Sequence, residues 1–162
     1  MPNKIIDYDR TSTAPFCFHY KFRFSHADPF GYVFYPRYFE CFHAATEEWF
    51  THGLGLIFAD LVIEQRVGQP TVHLECQFIK PCRLGDELEI AVILEKLGNT
   101  SLTLRYIGMV DGDIRVRATA VQVWIDANTG KPTPFAPLLR ERLEDYHARI
   151  IAPDDEAPER RG

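Results

Sequence analysis

Phe16 to Phe24 reads FCFHYKFRF, and over its second half apolar and polar residues alternate at period two, which predicts a strand. Turn formers then fill Ser25 to Gly31. Pro36 predicts the start of a helix, since proline fits the first helical position, where no N–H is needed. From there Phe39, Phe42, Ala45, Trp49 and Phe50 recur at helical spacing, and Cys41, Ala44 and Thr46 widen the apolar face. That breadth predicts a helix enclosed on most sides, with Gly53 as its stop.

The second half of the chain has a different texture. Strand-like runs fall at about 70–80, 87–97, 100–110 and 114–126. Leu88, Ile90, Val92 and Leu94 share one face of the second run, while Glu87, Glu89 and Glu95 mark the other, interrupted by Ala91 and Ile93. Gly98-Asn99 and Asp111-Gly112-Asp113 are hairpin signals between the later runs. Leu138 to His147 is amphipathic and reads as a last helix. One strand, one helix and then a meander is an α+β order, which an antiparallel sheet wrapped around one long helix satisfies. Periodicity alone leaves other α+β sandwiches open.

Composition removes several function classes. A chain of 162 residues suits one domain, and 46% hydrophobic with 25% charged residues is ordinary for a soluble globular protein. A net charge of −5 gives no global pull toward nucleic acid or anionic membranes, so any phosphate site must be a local basic patch. No apolar stretch has the length of a membrane helix, and the N-terminus lacks the apolar core of a secretory signal. Cys17, Cys41, Cys76 and Cys82 form no C-x-x-C pair, so free thiols in a reducing cytoplasm are expected. Residues 1–14 read as a flexible arm, 15–150 as the folded domain, and 151–162, rich in charge and proline, as a disordered tail.

Two segments carry candidate chemistry. Ser25 to Tyr38 reads SHADPFGYVFYPRY, and Phe78 to Leu88 reads FIKPCRLGDEL. An aspartate ordinarily titrates at about 3.9, so Asp28 needs no prior deprotonation to attack an electrophile. Pro36 has no N–H, which leaves nearby amides such as that of Tyr35 as donors at the positive end of a helix, a setting suited to an oxyanion. On residue type alone, Asp28-Pro29 followed by Gly31 is equally a turn former.

The two segments together resemble the 4-hydroxybenzoyl-CoA thioesterase family, in its Pseudomonas-type branch. The shared elements are D-P-x-G-x-V, an aromatic pair and P-x-Y in the first segment, and F-x-x-P-x-x-x-G-D-x-L in the second. Two motifs in order, about fifty residues apart, specify far more than either alone, and with the meander the resemblance covers roughly residues 16–127. It implies a hot-dog fold, hydrolysis of an acyl-CoA to free acid and coenzyme A, no metal or redox cofactor, and a homodimer or homotetramer with sites at subunit interfaces. It implies Asp28 as nucleophile or general base, and the Tyr35 amide as the group that polarises the thioester carbonyl.

Other site residues are expected on weaker grounds. His26, two residues before Asp28, is a candidate to orient the carboxylate, to assist proton transfer or simply to accept a loop hydrogen bond. Gly31, Val33 and Tyr38 fall within the first motif and are expected at the substrate. Trp49, with Phe30, Tyr32, Phe34, Phe50 and Phe58, is a candidate for an acyl pocket, although aromatics at such spacing also build cores. Lys80 and Arg83, with Arg105, Arg115, Arg117 and Lys131, are candidates for the coenzyme A phosphates. Gly98-Asn99-Thr100 stands before Ser101 where the prototype carries basic residues, so nucleotide docking departs from it and Ser101 remains a candidate contact. Glu47 and Glu48 lie where a second hot-dog thioesterase class carries its carboxylate, but their surroundings do not match, and a solvated or interface position is expected.

The sequence has no H-E-x-x-H or cysteine pattern for zinc, no G-x-S-x-G elbow, no Walker loop and no dinucleotide fingerprint. No basic-aromatic stripe suggests nucleic acid. Two rivals to a thioesterase remain: a non-catalytic acyl-CoA-binding module of the same fold, and an acyl-thioester hydratase or dehydratase, which lacks its D-x-N-x-x-H arrangement here.

Overall fold

A computed structural model of the chain describes residues 5–154. Five strands form one antiparallel sheet in the order β1-β4-β5-β6-β3: β1 (Phe16–Lys21), β3 (Thr71–Phe78), β4 (Glu87–Leu97), β5 (Ser101–Val110) and β6 (Asp113–Val123). A small ladder joins β2 (Val67–Gly68) to β7 (Ile125–Asp126). Helix α1 (Pro36–Glu48) crosses the sheet, α2 (Phe58–Ile63) follows it, and α3 (Pro137–Arg149) ends the domain. This is the α+β arrangement expected, a long helix held against a curled antiparallel sheet.

Period two places Leu88, Ile90 and Val92 of β4 beneath the helix, all fully buried, with Leu104 and Tyr106 from β5 and Val116, Ala118 and Ala120 from β6. Helix α1 answers with Tyr38, Cys41, Phe42, Ala45 and Thr46. Its other side, including Glu40 and His43, is exposed, so enclosure on most sides is not what one chain provides. Helical spacing reports the width of an apolar face but not what stands opposite it. Ala91 and Ile93, which broke the polar face of β4, make a small second cluster with Ile107 on the outer side of the sheet.

Strand β1 begins opposite Val92, and beyond that point α3 packs along β4. The Tyr146 hydroxyl donates to the Val92 carbonyl at 2.6 Å and accepts the Phe16 amide at 2.8 Å, so one side chain satisfies both groups at the strand's end. The segment expected as a flexible arm makes defined contacts over its described part. Ile6 donates to the Gly55 carbonyl at 3.1 Å, and Arg142 lies 4.7 Å from the centre of the Tyr8 ring. Ile151, the first residue expected in the tail, donates to the Thr13 carbonyl at 2.8 Å. Residues 1–4 of the arm and 155–162 of the tail lie outside the described residues. No helix among the described residues is long and apolar enough to cross a membrane.

The two sequence motifs meet in space. Val33 donates to the Cys82 carbonyl at 3.0 Å, Leu84 donates to the Gly31 carbonyl at 2.9 Å, and Tyr32 pairs with Arg83 across an antiparallel bridge. Phe22 and Asp86 are joined by a further backbone hydrogen bond of 2.9 Å. The 78–88 turn is therefore the buttress of the 25–38 loop.

Candidate active site

The chain leaves β1 through a short 3-10 turn, Phe24–His26, and then doubles back on itself. Phe34 donates to the His26 carbonyl at 2.9 Å, Ala27 bridges Val33, and Asp28 donates to the Tyr32 carbonyl at 2.7 Å. Asp28 builds the reversal with its own side chain, as the turn-former reading requires. Its Oδ1 accepts the amides of Phe30 at 2.9 Å and Tyr32 at 3.0 Å. Gly31 takes φ +80°, a left-handed conformation that the reversal needs and that glycine adopts without cost. Oδ2 receives no hydrogen bond from the described residues. Half of the carboxylate is anchored and half is available.

The same reversal delivers the helix start. Tyr35 precedes Pro36 in helical conformation, and the first helical amides bond three residues back, Arg37 to Phe34 at 2.9 Å and Tyr38 to Tyr35 at 3.2 Å. The Tyr35 N–H has no acceptor among the described residues. An unused donor thus stands at the positive end of a 13-residue helix, on the returning arm of the reversal that Asp28 helps to build.

Val33, Tyr35, Tyr38 and Lys80 line one open groove of about 280 Å³ with Phe78, Ile79 and Pro81. Tyr38 is its floor: its buried hydroxyl accepts the Cys82 amide at 3.1 Å, and burial pushes its ionisation well above the ordinary range. Lys80 is held by Asp113 at 2.9 Å, while Arg115 donates to the Pro81 carbonyl at 2.7 Å. Arg83 stacks over the Tyr32 ring at 5.3 Å. Three cations expected to serve phosphates therefore gather at the Asp28 end of the sheet. Phe78, Ile79 and Pro81 were not singled out from the sequence, although Phe78 stands in the second motif and its strand carries apolar residues on an open edge.

Of the three roles open to it, His26 takes that of a loop hydrogen-bond acceptor. The Arg23 amide donates to Nδ1 at 2.8 Å, so Nδ1 carries the lone pair and the proton is on Nε2, which faces the Tyr20 hydroxyl at 3.1 Å. Both ring nitrogens are spent on holding the turn, and neither meets Asp28. Burial raises the ionisation of Tyr20 further above physiological pH, where a tyrosine hydroxyl is already neutral.

The remaining candidates lie away from this groove. Trp49 is fully buried beside Phe50 and Tyr146 at the far end of α1, so it is core and cannot touch a substrate held near Asp28. Phe50 is buried in the same way, whereas Phe30 and Phe34 remain open beside the loop. Ser101 opens β5, at the opposite end of the sheet from Asp28, and Lys131 belongs to the turn beyond β7. Arg105 and Arg117 line a shallow depression on the outer face of the sheet with Glu75 and Gln77. Glu47 and Glu48 pair with His43 at 2.8 Å and His52 at 3.2 Å on the exposed side of the helix. No group of three or more metal-ligating side chains occurs among the described residues.

Comparison with known proteins gives this geometry a context. The family model of the Thioesterase-like superfamily matches residues 22–143, which include both motifs and the whole main sheet after β1. A 1,4-dihydroxy-2-naphthoyl-CoA hydrolase of Nostoc punctiforme is 28% identical over 107 residues, 66% of this chain and 72% of that protein. A solved gentisyl-coenzyme A thioesterase superposes with a TM-score of 0.71 at 26% identity, covering 78% of this chain and 98% of its own. The 1,4-dihydroxy-2-naphthoyl-CoA thioesterase from Synechocystis superposes with a TM-score of 0.73 over 82% of this chain and 97% of its own, and at 19% identity that likeness bears on the fold alone.

Proposed function

The chain belongs to the Thioesterase-like superfamily and is a thioester hydrolase, and from that premise we propose that it cleaves an aromatic acyl-CoA, of the hydroxybenzoyl kind, into the free acid and coenzyme A. The observation that carries the assignment is the half-anchored Asp28 carboxylate on the same reversal as the unused Tyr35 amide. The thioester oxygen would accept the Tyr35 N–H, which stabilises the charge that develops there in the transition state. Oδ2 of Asp28 would then either attack the carbonyl carbon, expelling the thiolate and forming an acyl-aspartate that water cleaves, or take the proton of an attacking water. Neither route calls for a metal or a redox cofactor. His26 acts as a positioning residue in this scheme, by fixing the turn before Asp28. Lys80, Arg83 and Arg115 supply the local basic patch that an overall acidic chain needs to hold coenzyme A phosphates.

The working unit in this reading is a homodimer joined through β3, with pairs combining into a tetramer. Strand β3 is at the edge of the sheet, and its Val72 and Leu74 are 61% and 40% exposed. An open edge with apolar side chains invites pairing with a second copy.

A panel of aryl and aliphatic acyl-CoAs, followed by thiol release, tests the activity. Turnover of hydroxybenzoyl-type substrates is expected, and tight binding without release of coenzyme A would favour a binding module instead. A single turnover in ¹⁸O-water, with a rapid-quench trap, separates the two routes. If Asp28 attacks and water then cleaves the anhydride at the aspartyl carbonyl, the label enters Asp28 and the product carries the former aspartate oxygen, whereas the water route labels the product and leaves Asp28 unlabelled. Cleavage at the acyl carbonyl labels the product in both routes, and there an acyl–Asp28 adduct trapped by rapid quench identifies the attack route.

A further inference from the structure

A second pocket lies along the same seam between α1 and β3. Phe39, Phe42 and Leu74 are its walls, Ala120 is its floor, and Thr71 and Gln122 close its far end. Its volume is about 140 Å³. An engineered protein cavity of about 150 Å³ takes up benzene, so the space suits one aryl ring.

Gln122 is the unusual member. It is 4% exposed, on a face of β6 whose other members, Val116, Ala118 and Ala120, are apolar. Its Oε1 accepts Nε2 of Gln69, and its own Nε2 donates to the Thr71 hydroxyl over a long 3.4 Å. A carboxamide nitrogen has two hydrogens. The second meets no acceptor among the described residues. Tyr106, also at the pocket, is satisfied: Thr46 gives its proton to the Phe42 carbonyl at 2.9 Å, so the Tyr106 hydroxyl donates to Thr46 at 2.7 Å. Among the described residues two donors of this pocket are unspent, the exposed Thr71 hydroxyl and the Gln122 amide, and of the two only Gln122 is buried.

The dimer of the preceding reading gives the pocket its place. Antiparallel pairing of β3 with its own copy about a two-fold at the middle of the strand sets Phe78 of one chain beside the Thr71 end of the other. Phe78 lines the Tyr35 groove and Thr71 lines the Gln122 pocket, so each pocket would adjoin the groove of the neighbouring chain. We propose that this pocket is the acyl subsite for a thioester held at the partner's Tyr35, and that Gln122 determines specificity by donating its free N–H to an oxygen on a single aryl ring. The inference rests on the thioesterase reading and on the dimer.

The test is the ratio of kcat/KM for 4-hydroxybenzoyl-CoA to that for benzoyl-CoA, in wild type and in Gln122→Met, which keeps the shape and removes the donor. A neutral hydrogen bond corresponds to about tenfold, so the wild-type ratio should collapse by about that factor. An unchanged ratio, or equal losses on both substrates, overturns the role of Gln122. Ala120→Leu fills the pocket and leaves every donor and acceptor of the Gln69–Gln122–Thr71 network in the chain, and should abolish aryl turnover; wild-type aryl turnover in that variant overturns the pocket assignment. A wild type that cleaves only aliphatic acyl-CoAs overturns this inference and leaves the thioesterase reading standing. A wild type that cleaves no thioester overturns both.

Discussion

Tyr32 donates its amide to Oδ1 of Asp28 at 3.0 Å and accepts the Asp28 amide on its own carbonyl at 2.7 Å. Side chain and backbone thus tie the aspartate to the same residue from both directions. The reversal depends on the carboxylate, and the carboxylate is oriented by the reversal. A carboxylate proposed to act at a thioester carbonyl, by attack or through water, benefits from such fixing, because little ordering remains to be done on the way to the transition state.

Gly31 is where that reversal is most vulnerable. A Cβ there would meet nothing within 4 Å, so substitution costs only the backbone strain of φ +80°. Gly31→Ala should lower stability by about 1 kcal/mol. It should also lower kcat more than it changes KM. Gly31→Asn should recover much of the loss, since asparagine tolerates the left-handed region. Denaturant titration with steady-state kinetics checks both; an alanine variant with wild-type stability would contradict the account of the turn.

His26→Ala removes the acceptor of the Arg23 amide and the partner of Tyr20. A lost capping interaction of this kind costs about 1 kcal/mol. Activity should fall by less than about tenfold, far below the loss expected for a proton-transfer catalyst of about 10²–10⁴. A loss in the catalytic range with an unaltered melting curve would restore His26 to the chemistry.

Much of this was legible in the sequence, and the failures have one physical origin. Pro36, the period-two runs and the paired motifs fixed the helix start, the long strands and the loop that carries Asp28. Those signals are local, or rest on turn chemistry. Trp49 was misplaced because a helical repeat tells which residues share a face and not how far along the helix a site extends. Ser101 was carried by likeness to another chain, and its distance along β5 shows only in three dimensions. His26 could be read as a neighbour of Asp28 in sequence, whereas the tautomer that commits both nitrogens requires the Arg23 amide and Tyr20 in place.

The cysteines predict an alkaline limit to stability. Burial pushes Cys41 up to about 12, helped by nearby Glu40, and pushes Cys17 and Cys76 up to about 11, against an ordinary 9.0. The folded chain therefore keeps protons that the unfolded chain gives up. Their contribution to stability is intact below about pH 9 and is lost as pH rises through 11 to 12. Urea midpoints should fall steadily above pH 9, and thiol reagents at pH 8 should label the native protein slowly and the unfolded protein fully. Rapid labelling of native Cys41 would contradict its burial.

Leu74→Lys tests the edge-strand dimer. The side chain is 40% exposed in one chain, so the monomer should tolerate the charge with a change of less than about 1 kcal/mol. A second copy on β3 would not tolerate it. Light scattering should show monomers; a variant that stays dimeric would place the interface elsewhere.

Asp28→Asn tests the central claim most directly. Asparagine keeps an Oδ1 that can accept the Phe30 and Tyr32 amides, so the reversal should survive, while the charged Oδ2 is lost. Coenzyme A release from the best acyl-CoA substrate should drop by roughly 10³-fold or more, at an unchanged melting temperature and with substrate still bound. Release within tenfold of wild type in a folded Asp28→Asn protein would contradict the assignment of this carboxylate as the catalytic group.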